Sequence, residues 1–308
     1  MDGYGTTIYM EVFVIAKGKI IKALSGFYYV KAEDGKVYQC RGRGVFRKRK
    51  ISPLVGDYIE FQSDNENEGY VLEVFDRKNE LIRPPISNID QAILVFSAVE
   101  PIFNPQLLDR FLVVIEAAKI EPIICVTKID LMSQKEAEQV NQFIQLYKEI
   151  GYTIIQLSSE TNEGVQHVIP LLEEKITVFA GQSGVGKSSL LNAIRPDLQL
   201  KTAEISTHLG RGKHTTRHVE LIEIAGGLVA DTPGFSSLEF TDIEAVDLTD
   251  YFIEFAQASV NCKFRGCLHL NEPGCAVKEK LASGEIAKSR YNNYEIFTKE
   301  IKERKPRY

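Results

Sequence analysis

No run of apolar residues in this 308-residue chain approaches the roughly 20 needed to cross a bilayer; one of the longest, Ala92 to Val99, spans eight positions. The N-terminus lacks a basic stretch followed by an apolar segment and a small-residue cleavage site. Neither a secretory signal nor a membrane partner is therefore expected. Cysteine is scarce and odd in number: five, three of them between 262 and 275. That excludes a distributed disulfide framework and points to a reducing, cytoplasmic setting with one metal site. Repeats and low-complexity tracts are missing too. With 44% hydrophobic and 26% charged residues, the composition excludes global disorder, collagen and a coiled-coil rod. Nor is positive charge in excess. The net charge of −5 excludes a chain that coats nucleic acid along its whole surface. At about 100–200 residues per domain, the length predicts two or three domains.

Charge is nevertheless uneven. Residues 41–50 hold Arg41, Arg43, Arg47, Lys48, Arg49 and Lys50 and no acid. The last ten residues carry five basic side chains against Glu300 and Glu303. Such clusters in an acidic chain read as phosphate-backbone contacts, or else as solvated loops.

Three zones follow one another. Residues 11–77 carry short strand-like runs at Ile20–Ile21, Phe27–Val30, Val37–Cys40, Tyr58–Phe61 and Tyr70–Phe75, punctuated by Gly, Asp and Asn. That spacing predicts a small all-β barrel. Pro84-Pro85 marks a boundary. Strand candidates Ala92–Val99, Ile123–Thr127, Ile154–Leu157, Ile176–Ala180, Val219–Ile224 and Leu228–Ala230 then alternate with helical stretches at Gln106–Ala118, Gln134–Ile150, Val165–Leu172 and Lys187–Ala193. Nearly continuous apolar strands between helices predict a parallel sheet covered on both faces. From 241 onward the chain reads as helical and holds the cysteine cluster. The expected domains are 11–77, 78–240 and 241–308.

Gly181-Gln182-Ser183-Gly184-Val185-Gly186-Lys187-Ser188 matches G-x-x-x-x-G-K-S/T, after an apolar strand and before a helix opening at Ser189. The glycines let backbone N–H groups wrap around phosphates. Lys187 reaches the β and γ phosphates, and Ser188 supplies an oxygen for Mg²⁺. Asp231-Thr-Pro-Gly234 ends a second apolar strand 44 positions after Lys187. Asp231 there is the expected acid of the Mg²⁺ shell, and Gly234 offers an N–H near the γ phosphate. Thr127-Lys128-Ile129-Asp130 ends another strand and resembles the guanine-specificity element N-K-x-D of GTPases, with Thr for Asn. A carboxylate at Asp130 accepts both N1–H and the exocyclic amine of guanine, a donor pair adenine lacks. The Lys128 stem is expected to pack over the ring. Ser158-Ser159 resembles the small-residue loop that touches the guanine oxygen. Cys262, Cys267, His269 and Cys275 form a Cys₃His set within 14 residues, the donor set of a closed structural zinc site. Cys40 and Cys125 read as buried thiols.

In an ordinary GTPase the phosphate loop comes first. Here the base elements at 127 and 158 precede it, which is the order of a circularly permuted GTPase. In that order, the motifs make the chain resemble the bacterial ribosome small subunit-dependent GTPase A family over about 290 residues. The resemblance implies an N-terminal OB barrel that binds RNA, a permuted G domain and a C-terminal zinc domain. It implies GTP and GDP as ligands, with Mg²⁺, and one structural Zn²⁺. The implied partner is the small (30S) ribosomal subunit with its 16S rRNA, and the protein is expected to be a monomer. The position after D-x-x-G, where many GTPases carry a water-orienting glutamine, holds Phe235. The family implies His214 for that task, within Gly210–His218; His208 and His218 are weaker candidates. Thr216 is the expected second Mg²⁺ ligand, with Thr215 as alternative. The competing readings are a phosphate-loop kinase or ATPase and a non-catalytic, nucleotide-dependent rRNA-binding module.

Overall fold

The computed structural model describes residues 14–44, 46, 51–65, 68–82, 84–198, 219–231 and 238–304, with the side chains of Val14, Asp64 and Asp231 excepted. The chain folds into two compact units, 1–88 with 216–222, and 89–215 with 223–308.

The first unit is a closed five-stranded barrel. Its strands are β1 (Val14–Leu24), β2 (Phe27–Ala32), β3 (Val37–Gly42), β4 (Tyr58–Asn65) and β5 (Glu68–Val74). β1 pairs with both β2 and β4, β2 with β3, β3 with β5, and β5 with β4, so no edge is left to template aggregation. Alternate side chains point inward: Ile20, Val30, Cys40, Ile59, Phe61 and Val71 are completely buried. The strand runs foreseen around 20, 27, 37 and 58 lie in these strands, and that at Tyr70–Phe75 lies in β5 but for Phe75; β1 and β4 extend well past the runs foreseen. Below the barrel, β6 (Glu80–Leu81) pairs with β7 (Ile86–Ser87). There the buried Asp57 accepts from Arg77 Nε at 2.8 Å, Ser87 Oγ at 2.6 Å and Leu54 N at 2.7 Å. Glu220 joins this unit by pairing with Lys22, reinforced by a 2.8 Å ion pair.

The second unit is built on parallel strands β8 (Gln91–Ser97), β9 (Glu121–Thr127), β10 (Thr153–Gln156), β11 (Ile176–Ala180) and β13 (Gly227–Asp231); β12 (Glu220–Ile224), which begins in the first unit, leads into β13 through a tight turn. The spatial order is β10-β9-β8-β11-β13. Every residue of β8 and β11 is buried, as an apolar strand covered on both faces requires.

Helix α1 (Pro105–Ala117) starts where Asn104 caps Leu107 N and proline takes the first helical position. A Ser133–Glu136 capping box opens α2 (Gln134–Ile150), and Gly151 closes it at φ 117°. The helix foreseen over 165–172 is instead a 3₁₀ turn, Val165–His167, followed by the short α3 (Ile169–Leu172). Pro170 has no N–H to continue the ladder from the preceding turn.

The C-terminal helices are α5 (Ile253–Ser259), α6 (Ala276–Ser283) and α7 (Lys288–Glu303); α4 (Lys187–Ile194) belongs to the phosphate loop. Their core of Phe252, Phe255, Tyr294 and Phe297 includes Val113 of α1, so it is continuous with the nucleotide sheet's own helices. Beside it runs a buried ionic cluster. Arg290 of α7 donates to Asp109 of α1 and, at 2.7 Å, to Glu254 of α5. Asn293 Nδ2 and Tyr147 Oη also donate to Asp109, at 2.6 and 2.5 Å. Removing one partner leaves the others charged and unpaired in a dry interior. Arg290→Ala is therefore expected to cost about 3–5 kcal/mol, read as a lowered denaturant midpoint, with the loss largest for probes in the C-terminal helices.

Candidate nucleotide site and metal centre

The carboxyl ends of β8, β9, β10, β11 and β13 lie along one edge of the sheet, where open α/β sheets bind ligands. The phosphate loop leaves β11 there. Gly181 adopts φ 145°, and a Cβ on it would stand 2.1 Å from Val95 O. Only glycine lets the loop turn this tightly against β8. Gly184 and Gly186 have φ 82° and 96°, and Gly186 caps α4. Gln182, Ser183 and Gly184 are exposed, while Val185 and Ser188 are buried. Ser189 is half-buried in the first turn of α4. Lys187 Nζ donates to Gly181 O at 2.8 Å and Gln182 O at 2.6 Å. Burial pushes its ammonium down to about 8. The cation thus sits in the concavity of its own loop, on carbonyl oxygens that a phosphate would replace.

Strand β9 ends beside this loop. Thr127 is buried, and its Oγ1 lies 2.6 Å from Val185 O and 3.2 Å from Phe96 O. A hydroxyl has one proton, and the shorter contact directs it to the phosphate loop. Thr127 therefore braces the loop from below, a role that its place in a T-K-x-D string does not reveal. Lys128 adopts φ 59° and donates Nζ to Glu100 O at 2.6 Å. Its ammonium is thus tied to the loop after β8, which contributes Glu100 and Pro101 to this edge. Ile129 is half-buried and Asp130 exposed, both in the 3₁₀ turn that follows. On the neighbouring strand end, Ser158 is fully buried and its Oγ accepts from Thr161 N at 3.1 Å, which tightens that loop; Ser159 beside it is half-buried. Asp231 ends β13. His208, His214, Thr215, Thr216, His218 and Gly234 lie outside the described residues, as do Arg47, Lys48, Arg49 and Lys50.

Far along the chain, the cysteine cluster closes on itself. The ligand atoms of Cys262, Cys267, His269 and Cys275 all lie within 4.8 Å of one another. His269 Nδ1 is 3.7 Å from Cys262 Sγ and 3.3 Å from Cys275 Sγ. Tetrahedral zinc with bonds of about 2.3 Å needs thiolate sulfurs about 3.8 Å apart. The four donors therefore fit such an ion. Nδ1 faces the cluster because Nε2 is engaged elsewhere, 3.1 Å from Thr249 Oγ1, which is itself 3.1 Å from Tyr294 Oη. This hydrogen-bonded relay orients the ring. Tyr291 Oη donates to His269 O at 2.6 Å, and Glu272 accepts the N–H groups of Leu268, Leu270 and Asn271. Thr249, Tyr291 and Tyr294 are separated in sequence from the Cys₃His string and leave no motif by which to find them.

The chain matches a family model described as RsgA GTPase over residues 74–241, and one for the RsgA N-terminal domain over 17–71. A protein of Geobacillus sp. (strain WCH70), named small ribosomal subunit biogenesis GTPase RsgA, is 64% identical over 294 residues, 96% of this chain and all of the relative. One of the same name from Bacillus cereus (strain ATCC 10987 / NRS 248) is 64% identical over 95% of this chain and 99% of its own.

The chain belongs to the RsgA GTPase family.

Two solved structures agree. YloQ, described as a circularly permuted GTPase, is 53% identical with a TM-score of 0.83, covering 98% of this chain and all of its own. YjeQ from Thermotoga maritima is 37% identical with a TM-score of 0.85, over 95% and 100%. The RsgA GTPase fold explains why the strand ends at 127 and 158 precede the loop at 181 in the chain yet share one sheet edge with it. Membership makes this chain a GTPase and guanine nucleotide its ligand. In the same RsgA chain the Cys₃His cluster is a site able to hold a metal ion. Fresh, chelator-free protein is expected to carry one equivalent of metal by elemental analysis. Cys267→Ser should lose most of it and melt the C-terminal helices at lower temperature, because binding energy there is folding energy.

Proposed function

We propose that this protein binds the small (30S) ribosomal subunit, hydrolyses GTP in response to it, and assists its late maturation in the cytoplasm. The observation that carries the nucleotide part is the joint between Thr127 and Val185, which holds the base-reading strand end against the phosphate loop. The subunit enters through the names of the relatives.

In this reading Asp130 takes guanine N1–H and the exocyclic amine, and Lys128 and Ile129 line the base. The Ser158–Ser159 loop presents backbone to the guanine oxygen. Gly181, Gln182, Ser183, Gly184, Val185 and Gly186 cradle the phosphates, Ser189 sits in the first turn of α4, and Lys187 leaves its own carbonyls for phosphate oxygens. Ser188, Asp231 and Thr216 hold Mg²⁺, whose charge offsets the phosphates. Gly234 offers its N–H to the γ phosphate, and His214 orients the attacking water. The Cys₃His ligands hold one Zn²⁺ that fixes the last of three domains, 11–77, 78–240 and 241–308. Arg41, Arg43 and Arg47 to Lys50 bind the 16S rRNA backbone, and the protein acts as a monomer. A second reading, a non-catalytic nucleotide-dependent rRNA-binding module, is favoured by Phe235 standing where many GTPases carry glutamine.

Steady-state hydrolysis tests both. GTP turnover is expected to be slow alone and strongly raised by small subunits, with no comparable ATP turnover. His214→Ala should lose the stimulated rate while keeping tighter subunit binding with a non-hydrolysable GTP analogue than with GDP. Subunits that leave turnover unchanged would favour the second reading. Base choice is tested by Asp130→Asn, expected to exchange guanine for xanthine preference in competition binding.

Lys187 adds a pH signature. Its free ammonium titrates at about 8, and bound phosphates stabilise the protonated form. Raising pH through 8 therefore makes binding cost a proton uptake. GDP affinity is expected to fall about tenfold between pH 7 and 9, measured by calorimetry; Lys187→Arg should remove the dependence.

A further inference from the structure

The barrel carries an outward-facing row that its basic residues alone do not reveal. Cross-strand register places Phe27 opposite Arg41, Arg41 opposite Tyr70, Tyr70 opposite Gln62, and Gln62 opposite Ile15. One line thus crosses β2, β3, β5, β4 and β1. Its members alternate with the buried Cys40, Phe61 and Val71, so their side chains stand on the outer face. Arg41 Cζ lies 4.7 Å from the centroid of the Phe27 ring. Arg43 Nη2 donates to Gln62 Oε1 at 3.3 Å. Tyr70 is 49% exposed and Ile15 63%.

A large aromatic ring left half in water opposite an arginine is not explained by the barrel core, which is filled by side chains of the other face. The described arginines of this face, Arg41 and Arg43, lie at the end of β3 and just after it. From Gly35 to Gly56 the chain has seven basic residues and no acid, in a protein of net charge −5. The acids of these strands, Glu60 and Asp64 of β4 and Glu68 and Glu73 of β5, are not on β3, which has none.

We infer that this row is a stacking platform for unpaired RNA bases: Tyr70 takes a base on its ring, and Arg41 and Arg43 hold the flanking phosphates. The chemistry fits single strands rather than duplex. In A-form RNA the bases are stacked on one another and their faces are closed, so a ring on a flat strand surface has nothing to receive. In an unpaired segment each base has a free π-face, which any exposed ring accepts. Arg41, held over Phe27, is already placed, and loses little freedom when it meets a phosphate. The inference rests on the RNA-binding part of the reading above, and it names the feature of RNA that the barrel selects.

The test uses the full-length protein without ribosomes. Binding of a labelled U₁₂ RNA is followed by fluorescence anisotropy, alongside a 12-base-pair RNA duplex. U₁₂ is expected to bind more tightly than the duplex. Tyr70→Leu, a surface change of similar volume, should weaken U₁₂ binding about tenfold, the loss expected for one stacked base. Tyr70→Phe should bind within about twofold of the original protein, since the ring and not the hydroxyl stacks. Arg41→Gln should weaken both ligands and lower the slope of log affinity against log salt by about 1. Equal binding of U₁₂ and duplex, or a silent Tyr70→Leu with unchanged Arg41 salt dependence, would overturn the platform. Failure of the wider reading looks different: small subunits would leave GTP turnover unchanged while Tyr70→Leu still weakened U₁₂.

Discussion

Strand β11 enters the sheet between β8 and β13, and the nucleotide unit is organised around that insertion. Thr177 to Ala180 run beside Gln91 to Leu94 on one side, and Ile176 to Val178 beside Leu228 to Ala230 on the other. All three strands are parallel, so their carboxyl ends emerge together. The loop that leaves β11 is then forced between the ends of its neighbours. Gly181 meets Val95 at a distance no side chain permits, and Val185 lands on Thr127. The phosphate loop is shaped by this insertion as much as by its own glycines.

The same edge explains how a rearranged chain order preserves a site. Recognition of base and phosphate needs strand ends side by side; it does not need them consecutive in the chain. Connections can be cut and rejoined elsewhere as long as the ladder between β9, β8, β11 and β13 is kept. What makes the arrangement cooperative is the small contact under it. A threonine hydroxyl reaches the carbonyl of Val185, so β9 and the loop after β11 are joined by a direct hydrogen bond. Burial of that hydroxyl makes the bond obligatory, because an unsatisfied carbonyl there would cost about 1–3 kcal/mol.

The C-terminal helices use a different physics. They share an aromatic core with α1, and a buried arginine links them to Asp109 of that helix. Ion pairs of this kind add little net stability but punish misplacement, since each charge needs all its partners. The metal cluster is tied to the same helix. Tyr294 lies one turn from Arg290 on α7 and reaches His269 through Thr249. One face of α7 thus reaches α1 through Arg290 and the metal centre through Tyr294.

Much of this was legible in the chain. Apolar runs of three to eight residues alternating with helical stretches predict a parallel sheet covered on both faces. G-x-x-x-x-G-K-S between strand and helix specified a phosphate loop, because only glycines permit its turns. Cys₃His within a few turns specified a metal-sized cluster, since its four donors are too close in sequence to avoid one another. The tertiary structure alone decided which way polar side chains were used. Thr127, standing where the N-K-x-D element has Asn, braces the loop after β11; Lys128 is tied to a backbone carbonyl after β8. The helix foreseen at 165–172 breaks at a proline whose effect depends on the turn before it. Asp109, Arg290, Thr249, Tyr294 and the Phe27–Arg41–Tyr70 row leave no local pattern at all. Each owes its role to a partner many residues distant, and such pairings exist only once strands have chosen their register and helices their faces.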